Sequence, residues 1–580
     1  MRVLLLHPED SPRCGPWSQQ RWDLVVDLGR SARFSEEEWS QQYGCPVLRA
    51  DVFRENMADA RRVREILSVG RGRLVDEEGV DWWDLHLRFA PETLSMLVLT
   101  RVVAQLSGQA ELWATRRGWQ VSVVAALGKL PIRSFRSSRA GRVATQTGHY
   151  AGVLRRFSPA QIKEIVLDKY DSSYRWRARF ASKPKRCTQP VVLLPSAYVN
   201  VSRMASAYAC LLPAQSFLLV AARQSARQFV SPANVEVRDL SAYATADFPA
   251  REAEFLLARW AKLKDDLRER PELQLLMQAG IFEAFPGWVR DGLGARNAWR
   301  EVVEREPVCG VLCGDDSNMT TRIPVVLAAK RGIVTADFHH GAFDGRYLLK
   351  DLISEVYLTK NEMERDYLAR VCGLPAERLL MAAPRTSCGR ASGAKKQNGA
   401  AVFFSEPFEL AELRTEEVYR ELLPALIRLT RENGRSLIIK LHPFESRSQR
   451  AGIVRNALGD EIAKSVTLVD GPLTPELMSK AWFGIAVEST AVVDCLENGV
   501  NCFLCAWLAH SPYGYLEQYV RFGVGEALHS RQQLGEIPAR LENFGRASQP
   551  ARTSQAVDAS GLRQWLASKS RDVSAARSIS

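Results

Sequence analysis

SLIIKLHPFES, residues 436–446, is the stretch of this 580-residue chain that decides its fold. The aliphatic residues at 437–439, followed by Leu441, have the near-continuous apolar character of a strand that is buried on both faces of a parallel sheet. The strand ends in a lysine, a histidine and a proline, and charged residues follow. Because ligands bind at the carboxyl ends of parallel strands, this pattern predicts an α/β fold whose strand ends carry the functional groups.

The same alternation of buried strand and amphipathic helix recurs along most of the chain, which predicts parallel sheets with helices on both faces. Only the turn LRQWLAS (562–568) of the C-terminal tail is expected to dock on the folded part, because the rest is rich in Ser, Ala and Arg. The predicted organisation, in chain order, is an N-terminal α/β domain (1–130), a basic connecting segment (131–189), a first lobe (190–385), a linker (386–400), a second lobe (401–545) and a disordered tail (546–580).

Positive charge is concentrated in one segment. The chain has a net charge of +12, and residues 133–186 carry 14 Lys/Arg against 3 Asp/Glu. A segment with this charge predicts contact with an anionic partner. The alternative is that the segment forms a solvated face between domains. Its aromatic residues show no pattern typical of nucleic-acid readers, so nucleic acid is not an expected partner. We expect the segment to make peripheral contact with an anionic membrane.

The cysteines and the apolar runs indicate a cytoplasmic protein, at most peripheral on the inner face of the membrane. The eleven cysteines are scattered, which fits reduced thiols better than a disulfide framework. CFLC (502–505) has the CxxC spacing, but it lies in an apolar run without a second pair, so we expect a buried strand there. No apolar stretch is long enough to span a bilayer, and the N-terminus turns polar too early for a signal peptide.

Five polar clusters follow predicted strands, and they are spread over the two lobes. Since such strand ends meet at one edge of a sheet, the clusters predict a cleft between two lobes. The clusters are SAYVNVSR (196–203), GDDSN (314–318), FHHGAFDGR (338–346), KLHPFES (440–446) and VESTAVVD (487–494).

KLHP (440–443), followed by EST (488–490) and Asp494, resembles the C-terminal lobe of GT-B-fold glycosyltransferases that build bacterial surface polysaccharides such as capsule and lipopolysaccharide. The pattern is similar to that of CDP-glycerol glycerophosphotransferases and of bacterial sialyl-, polysialyl- and Kdo-transferases, which share a His-Pro and a Ser/Thr motif. FHHGAFDG (338–345) resembles the His-Gly element of the glycerophosphotransferases. The resemblance as a whole covers about residues 191–541.

The resemblance implies an α/β fold of two Rossmann-like lobes in a GT-B arrangement, preceded by an additional N-terminal α/β domain. It implies an inverting, metal-independent glycosyltransferase that moves a sugar from a nucleotide-activated donor to a surface-glycan or lipid-linked acceptor. A CMP-linked donor is favoured, and CDP, UDP and GDP donors stay open. The nucleotide sugar is a co-substrate, so no cofactor is expected.

The end of the strand at 437–441 supplies the first candidate donor-binding residues. His442 can donate a hydrogen bond, or a full charge, to a nucleotide phosphate, and Pro443 fixes the turn that directs it. Lys440 lies two residues earlier, so it faces the same side of the strand. The alternative is a strand-end histidine satisfied by the backbone.

ESTAVVD (488–494) supplies the remaining donor-binding candidates, Glu488, Ser489, Thr490 and Asp494. The hydroxyls of Ser489 and Thr490 stand at a helix start, where free backbone N–H groups and the helix dipole favour an anion. Ordinary helix capping is the alternative and is compatible with that role. The resemblance assigns the carboxylate of Asp494 to the ribose hydroxyls of the donor.

The first lobe supplies the candidates for catalysis and acceptor binding. A general base must take a proton from an acceptor hydroxyl. By resemblance His340, directly before Gly341, is that base, and adjacent strand residues point to opposite faces, so only one histidine of the pair should face the cleft. Asp316 is the second candidate base. Candidates for acceptor binding are Asn200, Arg203 and Arg346. DDSN lacks the DxD spacing, so no metal site is predicted.

Two departures from the family pattern keep two other functions open. SEPFE (405–409) stands where a glycine-rich phosphate loop is expected, and DDSN (315–318) only approximates the acidic-acidic-Gly triplet of the sialyltransferase groups. A nucleotide-sugar 2-epimerase on the same fold is one alternative. The other is a non-catalytic nucleotide-binding or scaffold protein on a degenerate GT-B frame.

Overall fold

The structure of the chain is a computed structural model that describes residues 1–8, 10–13, 15–29, 35–49, 57–85, 89–106, 110–136, 174–244, 249–384, 399–408, 414–547 and 557–577. Much of the predicted basic segment and nearly all of the predicted linker lie outside these ranges. The chain forms two compact units. The first contains Met1–Ala60, Thr93–Ser138 and Cys388–Ser554, and the second contains Arg61–Glu92, Arg139–Ser387 and Gln555–Ser580.

The N-terminal sheet has five parallel strands in the order β3-β2-β1-β4-β5. It runs on through residue 136, past the boundary predicted at residue 130, because β5 pairs with β4 as an edge strand. Its elements are β1 (Arg2–Leu6), β2 (Leu24–Asp27), α1 (Ser35–Tyr43), β3 (Val47–Arg49), α2 (Met57–Leu67), α3 (Phe89–Val103), β4 (Glu111–Arg116), α4 (Trp119–Gly128) and β5 (Ile132–Arg136).

The middle sheet has seven parallel strands in the order β12-β11-β10-β9-β6-β7-β8. Its elements are α5 (Tyr174–Ala178), β6 (Val191–Ser196), α6 (Val199–Ala209), β7 (Ser216–Ala221), β8 (Val235–Asp239), α7 (Ala250–Arg268), α8 (Pro271–Gln278), α9 (Phe285–Arg305), β9 (Val308–Cys313), α10 (Met319–Lys330), β10 (Val334–Asp337), β11 (Val356–Thr359), α11 (Glu362–Asp366) and β12 (Leu379–Met381).

The C-terminal sheet has six parallel strands in the order β15-β14-β13-β16-β17-β18, and the SLIIK segment forms its strand β14. Its elements are β13 (Ala400–Phe404), α12 (Thr415–Glu432), β14 (Leu437–Lys440), α13 (Arg447–Leu458), α14 (Asp460–Ala463), β15 (Val466–Val469), α15 (Pro475–Ser479), β16 (Ala481–Ala486), α16 (Ala491–Glu497), β17 (Cys502–Cys505), α17 (Tyr515–Arg521), β18 (Glu526–Leu528) and α18 (Ile537–Ala547).

All three sheets are doubly wound in the same way. In each one the first three strands lie in the order 3-2-1, and the fourth strand returns to the other side of the first. This reversal creates a switch point between β1 and β4, between β6 and β9, and between β13 and β16. Ligands of such sheets bind in the crevice outside the carboxyl ends of the strands at that point. The predicted α/β class with Rossmann-like lobes and a further N-terminal α/β domain is confirmed.

The prediction of a disordered tail is wrong for residues 557–577, whereas the expected docking of the segment 562–568 is confirmed. Helix α19 (Ser560–Arg577) packs in the second unit, and Leu562 and Trp565 are fully buried in the core of the middle sheet. Asp558 also pairs with Ala383 through two backbone hydrogen bonds of 2.9 and 3.0 Å. The apolar pair at i and i+3 gives one helix face enough buried area to order a segment that is otherwise polar.

The N-terminal and C-terminal sheets belong to one unit and are joined through Arg414, which directly precedes α12. Its guanidinium donates to the backbone carbonyls of His7, Pro8 and Asp10 at 3.0, 2.5 and 2.6 Å. It also forms a 2.7 Å ion pair with the buried carboxylate of Asp27. These carbonyls and Asp27 lie at the carboxyl ends of β1 and β2. The side chain of Arg414, which belongs to the C-terminal sheet, therefore occupies the edge of the N-terminal sheet at which a ligand would bind.

No helix in the described ranges is both long and apolar enough to cross a bilayer. Nine cysteines fall in those ranges, and all of them are free thiols. CFLC forms the buried strand β17, as the sequence predicts.

Candidate functional site

Three of the predicted polar clusters meet at the carboxyl edge of the middle sheet, because β6, β9 and β10 are neighbours. The amide of Asn318 donates to the hydroxyl of Tyr198 at 3.1 Å, which joins the loops after β9 and β6. Gly314 permits this approach, since a Cβ there would lie 2.4 Å from the ring of Phe338 and 2.7 Å from Val201. The switch point between β6 and β9 is therefore surrounded by the predicted residues of this lobe.

Asp316 is held in a buried ion-pair network. One carboxylate oxygen accepts from Arg322 at 3.0 Å and the other contacts the ammonium group of Lys350. Arg322 and Asp316 are each 2% exposed, and Lys350 is fully buried. Both oxygens of Asp316 thus have cationic partners within the protein, which favours a structural role.

The two histidines of FHHG lie side by side rather than on opposite faces. They follow the last residue of β10, so strand alternation does not apply, and their ring centroids are 4.4 Å apart. The Nδ1 atom of His339 accepts the N–H of Gly341 at 3.1 Å, and its Nε2 atom lies 3.2 Å from the guanidinium of Arg346. Burial, followed by the charge of the neighbouring His340, lowers the pKa of His339 well below its usual range.

His340 is a neutral imidazole with an unused nitrogen. Its Nδ1 atom is buried and has no hydrogen-bond partner among the described residues. Burial, followed by the charge of Arg346, lowers the pKa of His340 to about 4. An anionic ligand that neutralised Arg346 would raise this pKa toward the range in which a general base works best.

Arg346 connects the histidines to the acidic network. It forms ion pairs with Asp344 at 2.8 Å and with Asp315 at 3.3 Å, and its side chain remains one third exposed. Burial acts against ionisation of Asp344, but the charges of Arg346 and Lys350 prevail and hold its pKa well below the usual range. Sequence reasoning missed Asp344 and Lys350. The signal that could have identified them was the presence of an acidic residue and two basic residues within FDGRYLLK (343–350).

Asp337, at the end of β10, is a second buried acid that sequence reasoning missed. It is 1% exposed, and one oxygen accepts from the hydroxyl of Tyr347 at 3.2 Å. Burial and the charge of Asp316 raise the pKa of Asp337 well above its usual range. No feature of the sequence around VTAD marks this buried acid.

Asn200 and Arg203 stand in the first turns of α6, directly after the switch-point strand β6. Both are partly exposed, and neither side chain has a hydrogen bond or ion pair within the described residues. They are thus available to a ligand at this edge of the sheet.

In the C-terminal lobe, the His-Pro turn is fixed by Glu445. One oxygen of this buried carboxylate accepts the N–H of His442 at 2.6 Å. The other accepts from the hydroxyl of Ser405 at 2.7 Å and from Arg450 at 2.6 Å. The Nδ1 atom of His442 accepts the N–H of Phe444 at 3.2 Å, so the neutral ring carries its proton on Nε2, the form that can donate to a phosphate. Pro443 is exposed within the turn.

Lys440 does not stand beside His442 as a ligand-facing cation. Its ammonium group donates to the backbone carbonyls of Leu441 and Gly471 at 2.7 and 2.8 Å. The residue is 6% exposed, and burial lowers its pKa. The structure thus gives Lys440 a structural role in holding the loops after β14 and β15.

The residues after β16 have different surroundings. Glu488 accepts the N–H of Ser511 at 3.0 Å and lies 3.4 Å from Nδ1 of His510. Ser489 accepts the N–H of Ala491 at 3.3 Å, which is a capping contact. Thr490 is exposed at the N-cap of α16, and its side chain makes no capping hydrogen bond.

Asp494, in the first turn of α16, has a carboxyl group without a hydrogen-bond partner among the described residues. Burial and the charge of Glu497 raise its pKa to about 7. A partly buried carboxylate with free oxygens suits paired hydroxyl donors, such as those of a ribose.

Glu406, within SEPFE, is the residue of this edge that sequence reasoning did not assign. Its Oε1 atom accepts the N–H groups of Val487 and Glu488 at 3.1 and 2.9 Å. It therefore links the ends of β13 and β16, the two strands of the switch point. Burial raises the pKa of Glu406 to about 8. The only signal in the sequence was the missing glycine-rich loop.

Within the described ranges, no group of three or more His, Cys, Asp or Glu side chains is placed to hold a metal ion. The acidic network of the middle sheet is instead neutralised by Arg322, Arg346 and Lys350.

The chain matches no family model and no curated protein. Solved structures with similar folds include the UDP-GlcNAc 2-epimerase of Methanocaldococcus jannaschii, with 10% identity and a TM-score of 0.40 over 63% of this chain and 96% of that one. The epimerase of Neisseria meningitidis bound to UDP-GlcNAc has 13% identity and a TM-score of 0.39 over 62% and 92%. A glycosyltransferase of Rickettsia africae has 6% identity and a TM-score of 0.36 over 62% and 89%. At these values the likenesses do not assign an activity.

Proposed function

We propose that the chain is a nucleotide-sugar-dependent glycosyltransferase in which the C-terminal sheet binds the donor and the middle sheet binds the acceptor, as the two lobes of a GT-B pair. The observation that carries the proposal is the carboxyl edge of the C-terminal sheet. There a pre-formed His-Pro turn and an unpartnered Asp494 stand on a doubly wound sheet of order 3-2-1-4-5-6. This is the edge at which such sheets bind nucleotides.

On the donor side, His442 donates from Nε2 to a phosphate oxygen and Asp494 accepts from the ribose hydroxyls. A donor aimed at the leaving phosphate stabilises the charge that develops there, which a metal ion does in other folds. Ser489 and Thr490 add hydroxyls at the same edge, while Glu488 and Lys440 hold the surrounding loops. The family resemblance favours a CMP-linked donor.

On the acceptor side, His340 takes the proton of the attacking hydroxyl, and the reaction inverts the anomeric centre. Arg203, Arg346 and Asn200 bind the acceptor through its anionic or polar groups. The low pKa of His340 in the free protein means that acceptor binding near Arg346 activates the base. Asp316 is the second candidate base, but its two cationic partners favour His340.

A non-catalytic nucleotide-binding protein on the same fold is the second candidate. The observation that favours it is Glu406, which occupies backbone N–H groups at the switch point of the C-terminal sheet. Nucleotide binding without turnover, unaffected by His340→Ala, would support it.

Peripheral contact with an anionic membrane is also part of the proposal. Most of the basic segment lies outside the described residues. Its described end has an exposed aromatic side chain, that of Phe180, which is 76% exposed. Exposed basic residues flank it at Arg179, Lys183 and Lys185. An aromatic group among cations is typical of an interfacial contact with anionic lipid.

The test is a thermal-shift panel with CMP, CDP, UDP, GDP and dTDP on the wild type, His442→Ala and Lys464→Ala. Lys464 is the matched control, because it precedes β15 and so lies at the opposite edge of the same sheet. A ligand that binds only the folded state raises the melting temperature by mass action. We expect one nucleotide to stabilise the wild type and Lys464→Ala but not His442→Ala. If no nucleotide stabilises the wild type, the transferase proposal is wrong.

A further inference from the structure

The switch point of the C-terminal sheet contains an anion-binding arrangement that a side chain of the same chain already occupies. Two consecutive backbone N–H groups, those of Val487 and Glu488, point at Oε1 of Glu406 from 3.1 and 2.9 Å. Successive N–H groups that converge on one point form a concave site for anions. The carboxylate oxygen is thus an internal stand-in for an anionic ligand.

The position of this arrangement matches that of a phosphate site. Glu406 follows β13, the first strand of the sheet, where doubly wound nucleotide-binding sheets place their glycine-rich phosphate loop. Val487 and Glu488 follow β16, the strand across the switch point. The N–H groups that a glycine loop would supply are therefore supplied here by the end of β16, and Glu406 covers them.

The hold of Glu406 on these N–H groups depends on dipoles alone. No cation pairs with its carboxyl among the described residues. The titratable groups that face it are the carboxylate of Glu488, the thiol of Cys505 on β17 and the phenol of Tyr519 on α17. His510 lies beyond, 3.4 Å from the carboxylate of Glu488. A carboxylate so placed is readily neutralised, and burial accordingly raises its pKa to about 8.

We propose that the N–H groups of Val487 and Glu488 are the phosphate cradle of the donor site, and that Glu406 is a built-in competitor which a donor phosphate displaces. This inference rests on the proposed function and deepens it, since it names the groups that bind the phosphate and a proton-dependent control of that binding. No bond is made or broken in this step; the phosphate takes two hydrogen bonds that the carboxyl group gives up.

The competition sets a direction for the pH dependence. An ionised Glu406 repels a phosphate at the same two N–H groups, whereas a neutral carboxyl releases them more readily. Nucleotide affinity should therefore be highest below the pKa of Glu406 and should fall as the pH rises through about 8. If binding requires the neutral form, the fraction in that form falls about tenfold between pH 7 and pH 9, and the affinity falls with it.

The experiment is calorimetric titration of the full chain with the nucleotide of the thermal-shift panel that gives the largest shift, at pH 7 and pH 9. The second phosphate ionisation, with a pKa of about 6, is already about nine-tenths complete at pH 7, so it contributes little to the change. The proteins are the wild type, Glu406→Gln, Glu406→Ala and the control Glu461→Gln, whose carboxylate is 85% exposed on α14. Glu406→Gln keeps a carbonyl acceptor for the two N–H groups, so it preserves the local fold while removing the charge.

We expect the wild type and Glu461→Gln to bind about tenfold more weakly at pH 9 than at pH 7. Glu406→Gln should lose this change, and Glu406→Ala should bind more tightly than the wild type at pH 9. Asp494, whose pKa is about 7, titrates in the wild type and in the Glu406 variants alike, so the contrast between them isolates Glu406.

Three outcomes would overturn the inference in distinguishable ways. If the wild type and Glu406→Gln weaken equally with pH, Glu406 does not control binding. If Glu406→Ala binds no more tightly than the wild type at pH 9, the two N–H groups are not the cradle. If no nucleotide binds any of the proteins at either pH, the proposed function itself is wrong and the inference fails with it.

Discussion

Replacement of Arg414 by alanine should strongly destabilise the unit that contains the N-terminal and C-terminal sheets. The change leaves the carboxylate of Asp27 buried without its cation, and it removes the donors of three backbone carbonyls. Removing one partner of a buried ion pair destabilises a protein by about 3–5 kcal/mol. The carbonyls regain water in the space that the side chain leaves, so we expect a total loss of about 4 kcal/mol in the free energy of unfolding.

The assay is equilibrium unfolding in urea, followed by tryptophan fluorescence, because Trp39 lies 5.9 Å from the Arg414 guanidinium and is fully buried. Arg414→Lys is the milder variant, since it keeps a charge but loses the forked geometry, and it should have an intermediate stability. Arg420→Ala is the matched control on α12, the helix that Arg414 precedes. Arg420 makes an exposed 2.9 Å ion pair with Glu416, so its loss should change the unfolding free energy by less than about 1 kcal/mol.

One result would refute this reasoning. If Arg414→Ala and Arg420→Ala are destabilised equally, the buried pair does not hold the two sheets together. A double variant with Asp27→Asn gives an independent check, because residues in direct contact are coupled. Its loss of stability should be smaller than the sum of the two single losses.

Four further outcomes are expected. His340→Gln should lower turnover about 10²–10⁴-fold in a transfer assay, while nucleotide thermal shifts stay unchanged. Asp494→Asn should raise the free energy of unfolding more at pH 8 than at pH 4, because an acid whose folded pKa is raised to about 7 destabilises the fold once it must ionise. Trp565→Ala should destabilise the middle-sheet unit by about 3–5 kcal/mol in urea, and the exposed Arg563→Ala should not. Phe180→Glu should reduce co-sedimentation with anionic vesicles of phosphatidylglycerol and leave the melting temperature unchanged, since the side chain is 76% exposed. If the variant and the wild type co-sediment equally, this end of the basic segment does not contact the membrane.

The interpretation of polar clusters as strand ends succeeded for position and failed in part for role. His442 and its turn lie where the sequence predicted, because Pro443 and the apolar run before it are local signals. Lys440 and Asp316 were predicted to face ligands, but each is engaged within the protein by partners 30 or more residues away, Gly471 and Lys350. Such partners are set by packing, and the local pattern does not contain them.

The tail and Glu406 show the same limit. Docking of the segment 562–568 was predicted and is confirmed by the burial of Leu562 and Trp565 on the middle sheet, whereas composition did not predict that the helix extends over Ser560–Arg577. SEPFE was noted only for the glycines that it lacks. The function of its glutamate became visible when the fold brought the end of β16 to it.

The sequence by itself determined the α/β class, the sites of the strands and the presence of polar groups at their carboxyl ends. The spacing of apolar residues and the polar residues that end each strand are short-range signals. The burial of apolar runs in parallel sheets follows from them directly. Only the tertiary structure decided which charges are neutralised, that Arg414 closes the edge of the N-terminal sheet, and that Glu406 occupies the N–H groups of the two residues after β16. Those outcomes depend on desolvation and on contacts between groups that are distant in the chain. A local sequence pattern contains no information on either.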